Sequence, residues 1–380
     1  MSIDARDSTP ETVRGQIGGI PVRNLWLLML YASELFRCGL RGKVAIEENP
    51  DDIADLVAEI LSHMVQHRLR RNLTYGYRPE HAVLGRVRGH ISLLVTERRQ
   101  LLSRGLIACR FENLTVNTPR NRFVRGALEK IARIVRDRDL ARRCGSLSVS
   151  LNRLGVSGVM PTCIEVSTDR YGHHDADDQL MLAAAQLACD LALPMEAEGD
   201  VSLPLPEREI AWVRRLFEKA VGGFYDVVLS SQGWHVDRGR TINWQMGQRT
   251  AGIDRILPAM RADIVLDHYE ARRRIVIDTK FTSIVKPGWY REESLSSGYL
   301  YQIYAYLRSQ EGNGDPLSDH SVGLLLYPSV GTMVGEAVVV QGHEIRFETV
   351  DLGATAGEIR EQLIRIVEPM RTYAHQPCVG

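Results

Sequence analysis

Two aspartates and one lysine between positions 263 and 280 could do chemistry together. Asp263 opens the apolar stretch Ile264-Val265-Leu266, and Ile275-Val276-Ile277 runs into Asp278-Thr279-Lys280. The β-branched content of both stretches predicts two strands. The polar run His268 to Arg274 between them predicts a turn centred on Glu270-Ala271. In an antiparallel hairpin the start of one strand and the end of the other lie side by side, so Asp263 and Asp278 meet. Residues two apart on a strand share a face, so Lys280 points the same way as Asp278. Two carboxylates and an ammonium on one spot suit a divalent cation, an activated water and a phosphodiester. A single acid at a strand edge is often only solvated. Asp278, however, ends a strand expected to be buried on both faces, where a carboxylate is costly unless it is paired or holds a metal.

The elements that must carry this hairpin are legible from periodicity. A helix from Glu209 to about Leu229 precedes it, and a helix from about Tyr299 to Arg308 follows. Gly323-Leu324-Leu325-Leu326-Tyr327-Pro328 reads as a buried strand, and a last helix covers about Ala356 to Met370. Helix, strand, strand, helix, strand is an α/β (α+β) order around a mixed central sheet flanked by helices. Upstream, an apolar helix covers about Leu25 to Leu35. Ile53, Leu56, Val57, Ile60, Leu61 and Val65 recur at helical spacing within residues 51–71. Val83 to Ile91 is Gly-punctuated and extended. Asn117-Thr118-Pro119-Arg120-Asn121 is a turn and helix start, continuing as an amphipathic helix from Phe123 to Val135. A further helix spans Ala176 to Leu193. The domain division expected is a disordered tail over 1–19, an N-terminal mixed helix/strand domain over 20–203, and a C-terminal domain over 204–380, with the boundary at Leu203-Pro204-Leu205-Pro206.

With 380 residues, 44% hydrophobic and 25% charged, the chain is ordinary for a soluble globular protein. No apolar run is long enough to span a membrane, and no signal peptide is visible. Cys38, Cys109, Cys144, Cys163, Cys189 and Cys378 are scattered without a Cys-x-x-Cys pair, which predicts a reduced cytoplasmic protein without a zinc site. Net charge is zero, yet residues 68–143 hold 19 basic against 6 acidic side chains. That block is either a solvated arginine-rich face or a surface for DNA or an acidic partner. The chain has only five lysines, which makes Lys280 stand out where arginine is the default cation. His173-His174-Asp175-Ala176-Asp177-Asp178 reads as a polar helix start rather than a metal site. There is no Gly-x-x-x-x-Gly-Lys-Ser/Thr phosphate loop.

The hairpin resembles the PD-(D/E)xK nuclease core, with Ala262-Asp263 standing in place of Pro-Asp. Gln302-Ile303-Tyr304-Ala305-Tyr306 resembles the Gln-x-x-x-Tyr motif on the helix after that core in RecB-like nucleases. Glu218, on the helix before the hairpin, matches the place of a third acid. Ile20-Pro21-Val22-Arg23-Asn24-Leu25, Val116-Asn117-Thr118-Pro119-Arg120-Asn121-Arg122, Leu257 to Asp263 and Leu325-Leu326-Tyr327-Pro328, in this order, resemble the McrC family over residues 20–370. The resemblance implies the Mg²⁺-dependent endonuclease subunit of a type IV, McrBC-like, GTP-driven restriction complex acting on modified (methylcytosine) DNA. Mn²⁺ is the expected substitute metal. It also implies a partner, an McrB-like AAA+ GTPase oligomer that the N-terminal domain docks to and stimulates, and double-stranded DNA as substrate. On this reading Asp263, Asp278, the Thr279 carbonyl and Glu218 hold the metal. Lys280 orients water or offsets charge on the phosphate, and Gln302 and Tyr306 position the backbone. Two other readings are a non-catalytic activator of an AAA+ ring and a stand-alone RecB-like nuclease. The complete Asp, Asp and Lys set speaks against the first, and a long N-terminal half without helicase motifs against the second.

Overall fold

The computed structural model describes residues 16–17, 20–39, 52–167, 176–197, 207–281, 285–286 and 294–369. The chain forms two compact units, residues 1–53 with 197–380, and residues 54–196. Both the tail expected over 1–19, apart from Gln16–Ile17, and the boundary at 203–206 lie outside the described residues. Residues 20–53, assigned by sequence to the N-terminal domain, belong instead to the unit that carries the hairpin. Helix α1 (Val22–Ala32) explains why. It is apolar around its whole circumference, so Leu25, Trp26, Leu27, Leu28 and Leu30 are all buried, as befits a central rather than a surface helix. Its one buried amide, Asn24, donates to the carbonyls of Leu352 at 2.6 Å and Ala354 at 2.9 Å.

The smaller unit starts with α2 (Ile53–Arg70). Strands β1 (Gly76–Leu84), β2 (His90–Ile91) and β3 (Ile107–Thr115) make an antiparallel sheet in the order β1-β3-β2. Helices α3 (Pro119–Ile131), α4 (Arg138–Arg153) and α5 (Ala176–Ala197) follow. The Asn117 to Arg122 motif proves to be architectural. Thr118 caps α3 by accepting from Asn121 N at 3.1 Å, and Pro119 occupies the first turn, where a missing N–H costs nothing. The Asn121 side chain donates to the carbonyls of Val116 at 2.8 Å and Thr74 at 3.0 Å. Asp178, predicted as a polar helix start, is instead buried. It takes Arg68 Nε at 3.0 Å, Arg120 Nη1 at 3.2 Å and the Thr74 hydroxyl at 2.6 Å. Part of the basic block is therefore structural. His173, His174 and Asp175 lie outside the described residues.

The larger unit continues with α6 (Glu207–Ser230), β4 (His235–Arg238), β5 (Ile264–His268), β6 (Arg273–Thr279), α7 (Ser297–Arg308), β7 (Val322–Ser329), β8 (Gly335–Val340), β9 (His343–Asp351) and α8 (Ala356–Val367). These six strands form one mixed sheet in the order β8-β9-β7-β6-β5-β4. β5 and β6 are the predicted hairpin, antiparallel, with Ile264 opposite Ile277 and His268 opposite Arg273. The turn is closed by Ala271 N donating to His268 Nδ1 at 3.2 Å. β6 runs parallel to β7, and β7 parallel to β9. Val265, Val276, Leu325, Tyr327 and Phe347 on one face pack with Ile303, Tyr306 and Leu307 of α7. No described helix is long and apolar enough to cross a membrane.

α1 and α6 pack at very close range. A Cβ on Gly223 would sit 2.0 Å from the Tyr31 carbonyl oxygen. Backbone cannot yield as a flexible side chain can, so Gly223→Ala should lower stability by about 1–3 kcal/mol. Urea unfolding measures this. An unchanged midpoint would mean that the two helices separate freely.

Candidate active site

The hairpin ends where the sequence places its chemistry. Asp278, Thr279 and Lys280 are each 5% exposed or less. Asp263 lies one step before Ile264 and so beside Asp278. Its Oδ2 accepts from Thr279 N at 2.7 Å and from the Thr279 hydroxyl at 2.8 Å. These two bonds aim Asp263 across the strand pair. Asp278 pairs with Lys280 Nζ. That ammonium also donates to Gln302 Oε1 at 2.9 Å and stands 4.6 Å from the centre of the Tyr299 ring. Gln302 Nε2 donates to Tyr306 Oη at 2.6 Å, and Tyr306 donates to the Arg261 carbonyl at 3.0 Å. The relay closes on itself: Arg261 lies two residues before Asp263. Gln302 and Tyr306 face the same way because they are four apart on α7. The predicted pair thus holds Lys280 rather than merely packing.

Burial sets the electrostatics. Asp278 is pushed up to about 6, chiefly by burial and also by Asp263, against the pull of Lys280. Glu218, half-buried on α6, is raised by burial first and by Asp263 next, with Arg214 and Arg261 opposing. Tyr306 is raised too, mainly by burial. A raised carboxyl favours its protonated form, so a divalent cation competing for Asp278 must displace a proton below about pH 6. Any divalent cation bound through Asp278 should therefore lose affinity as pH drops through 6, and its affinity should level off above about pH 7. Calorimetric Mn²⁺ titration from pH 5 to 8 checks this, and a flat profile would remove Asp278 from the ligand set.

Among the described residues, no three His, Cys, Asp or Glu side chains converge closely enough to hold a metal together. The structure brings Asp263 and Asp278 together and leaves Glu218 within electrostatic reach only. Two carboxylates still suit Mg²⁺, which is commonly held by one or two of them plus waters and substrate phosphates. All the donors offered are hard oxygens, as that ion prefers. Thr279 meets Asp263 through its amide and hydroxyl.

The sequence missed a second buried cluster at the far end of the hairpin. Arg274 lies directly opposite Asp267 and grips it in a fork, at 2.5 Å from Nε and 2.8 Å from Nη2. Arg240 Nη1 reaches Asp267 at 2.9 Å, and Arg274 Nη1 reaches Asp315 at 2.6 Å and the Ser318 hydroxyl at 2.9 Å. Asp267 interrupts the apolar β5 and Arg274 the apolar β6, which was the available signal.

Fold and site together define a two-unit α+β protein whose mixed sheet ends in a buried acid–lysine centre. The model of the McrBC 5-methylcytosine restriction system component matches residues 5–191. The type IV methyl-directed restriction enzyme EcoKMcrBC of Escherichia coli K12 is 25% identical over 362 residues, covering 92% of this chain and 97% of that relative. The chain is thus similar, in sequence, to components of the McrBC restriction system. Two solved structures from Thermococcus gammatolerans are also similar. The first, an assembly of McrB AAA+ hexamers with bound McrC, has 12% identity and a TM-score of 0.42, over 91% of this chain and 76% of the other. The second, an McrBC complex, has 10% identity and a TM-score of 0.31, over 48% and 60% respectively.

Proposed function

We propose that this chain is the Mg²⁺-dependent endonuclease subunit of a GTP-driven restriction complex that cleaves methylcytosine-containing DNA, with a PD-(D/E)xK core in its larger unit. The observation that carries this is the convergence of Asp263, Asp278 and Lys280 at one sheet end, with Lys280 held by Gln302. Asp263, Asp278 and the Thr279 carbonyl would hold the metal, with Glu218 in an outer position. The bound ion would polarise the scissile phosphate and lower the pKa of a water. Thr279 keeps Asp263 aimed at the site. Gln302 and Tyr306 hold the Lys280 ammonium, which stabilises charge developing on the phosphate. Phosphate contacts position a duplex without reading it, so base recognition belongs elsewhere in the complex.

The partner is an McrB-like AAA+ GTPase oligomer, docked through the smaller unit. Tyr77 and Leu114, directly opposite each other on β1 and β3, stand exposed there side by side, apolar surface that a protein partner could cover. The test is cleavage of methylated and unmethylated plasmid by the chain with its AAA+ partner, GTP and Mg²⁺. Asp263→Asn should weaken metal binding and raise the Mg²⁺ concentration needed for half-maximal cutting. Cutting with an unchanged metal requirement would refute the ligand assignment. No cutting by the wild-type chain, with GTP hydrolysis still stimulated, would leave only an activator role.

A further inference from the structure

Two guanidinium groups act electrostatically on the acid centre without bonding to any of its carboxylates. Arg214 lies four residues before Glu218 on α6, one turn away on the same face. It is exposed and makes no hydrogen bond or ion pair among the described residues. Arg261 comes from a different element, two residues before Asp263, and is exposed as well. Its backbone is pinned by the Tyr306 hydroxyl on its carbonyl. Its side chain lies on Gly239, with Nε donating to the Gly239 carbonyl at 3.1 Å. Gly239 has φ +69°, and a Cβ there would meet Arg261 Nη2 at 2.5 Å, so only glycine lets this guanidinium lie so close. Gly239 N in turn donates to the Asp263 carbonyl at 2.7 Å. The Arg261 group is thus fixed relative to Asp263 by three backbone contacts. The fields of both arginines reach Glu218, and that of Arg214 also reaches Asp278.

We infer that Arg214 and Arg261 bind backbone phosphates of the DNA strand next to the scissile bond. A polyanion approaching Glu218, Asp263 and Asp278 is repelled unless cations stand beside them. A guanidinium suits that task, because its planar fork bonds phosphate oxygens in pairs. Cations serving only to offset the acids would be expected to pair with them, as Arg274 does with Asp267. These two stay solvated with donors to spare. The inference rests on the nuclease reading above and names the substrate contacts of the same site.

The test is binding of a short fluorescent duplex by the full chain, followed by anisotropy over a series of salt concentrations. Each phosphate contact contributes about 0.9 to the slope of log K against log salt. Arg214→Gln and Arg261→Gln should each flatten the slope by about one, and the double variant by about two, whatever the duplex sequence. Affinity at moderate salt should fall several-fold per substitution. Arg261→Lys, which keeps the charge and loses the fork, should retain the slope and recover only part of the affinity. Wild-type binding and cutting with an unchanged slope in the variants would overturn this inference alone. Tighter Mn²⁺ binding with an unchanged slope would do the same, assigning the arginines to charge offset. A wild-type chain that neither binds nor cuts DNA would overturn both this inference and the nuclease reading.

Discussion

Lys280→Ala should cut plasmid cleavage by at least about 100-fold, the loss typical when one preorganised charge donor is removed from a reacting centre. The substitution takes away the group that Asp278 and Gln302 jointly hold. No other side-chain cation of the relay can replace it, since Gln302 and Tyr306 are neutral donors and acceptors. The fold should survive. Burial raises Asp278 to about 6 even with Lys280 beside it, and without the ammonium it can take up a proton rather than remain a buried charge. The variant should therefore keep its thermal unfolding midpoint near that of the wild type at pH 6 and, on the proposed function, still stimulate GTP hydrolysis by the partner. Cutting at the wild-type rate would remove Lys280 from the chemistry. Loss of GTPase stimulation together with cutting would mean that the substitution had damaged the whole subunit.

Arg274→Met should destabilise the larger unit by about 3–5 kcal/mol, the range for removing one partner of a buried ion pair. Arg274 is 6% exposed and Asp267 1% exposed. The substitution strips Asp267 of its bidentate partner and frees Asp315 and Ser318 as well. Arg240 still reaches Asp267, but from a more solvated position and through one nitrogen. The same effect has a pH signature. Arg274, Leu317 N and Ser318 hold Asp315 below the usual carboxylate range, against its own desolvation. A depressed carboxyl stabilises the fold above its unfolded pKa and loses that contribution as pH falls through the lower folded value. The wild type should accordingly lose stability below about pH 4, and Arg274→Met should lose less over the same interval. Urea midpoints at pH 7 and in acid measure both. A midpoint unchanged at pH 7 would show that the cluster is replaceable.

The hairpin and its helices were legible because their signals are local. Asp263, Asp278 and Lys280 sit where strand periodicity puts them, and Gln302 and Tyr306 share a face by helical spacing alone. Strands β8 and β9 and helix α4 carried no comparable signal. β8 is largely exposed, and β9 buries His343, Arg346 and Thr349. Those residues look like loop chemistry until their partners are known: Arg346 donates to the carbonyls of Ile366 at 3.2 Å and Glu368 at 2.7 Å, and His343 Nδ1 lies 3.0 Å from the Ser321 carbonyl. α4 is strongly basic and polar, so its one buried stripe (Leu140, Cys144, Leu147, Leu151) is easily read as a break between helices.

By itself the sequence determined the chemistry available to this protein: which acids and which lysine share a strand end. Only the tertiary structure decided which residues hold those groups in place. It moved α1 from the smaller unit to the larger, turned Asp178 from a polar helix start into a buried anchor for Arg68 and Arg120, and set Glu218 apart from the carboxylate pair. The physical reason is the same each time. A strand or helix is specified by neighbours a few residues away, whereas the pairing of a buried charge or the seating of an all-apolar helix depends on groups tens to hundreds of residues distant, and no local pattern encodes them.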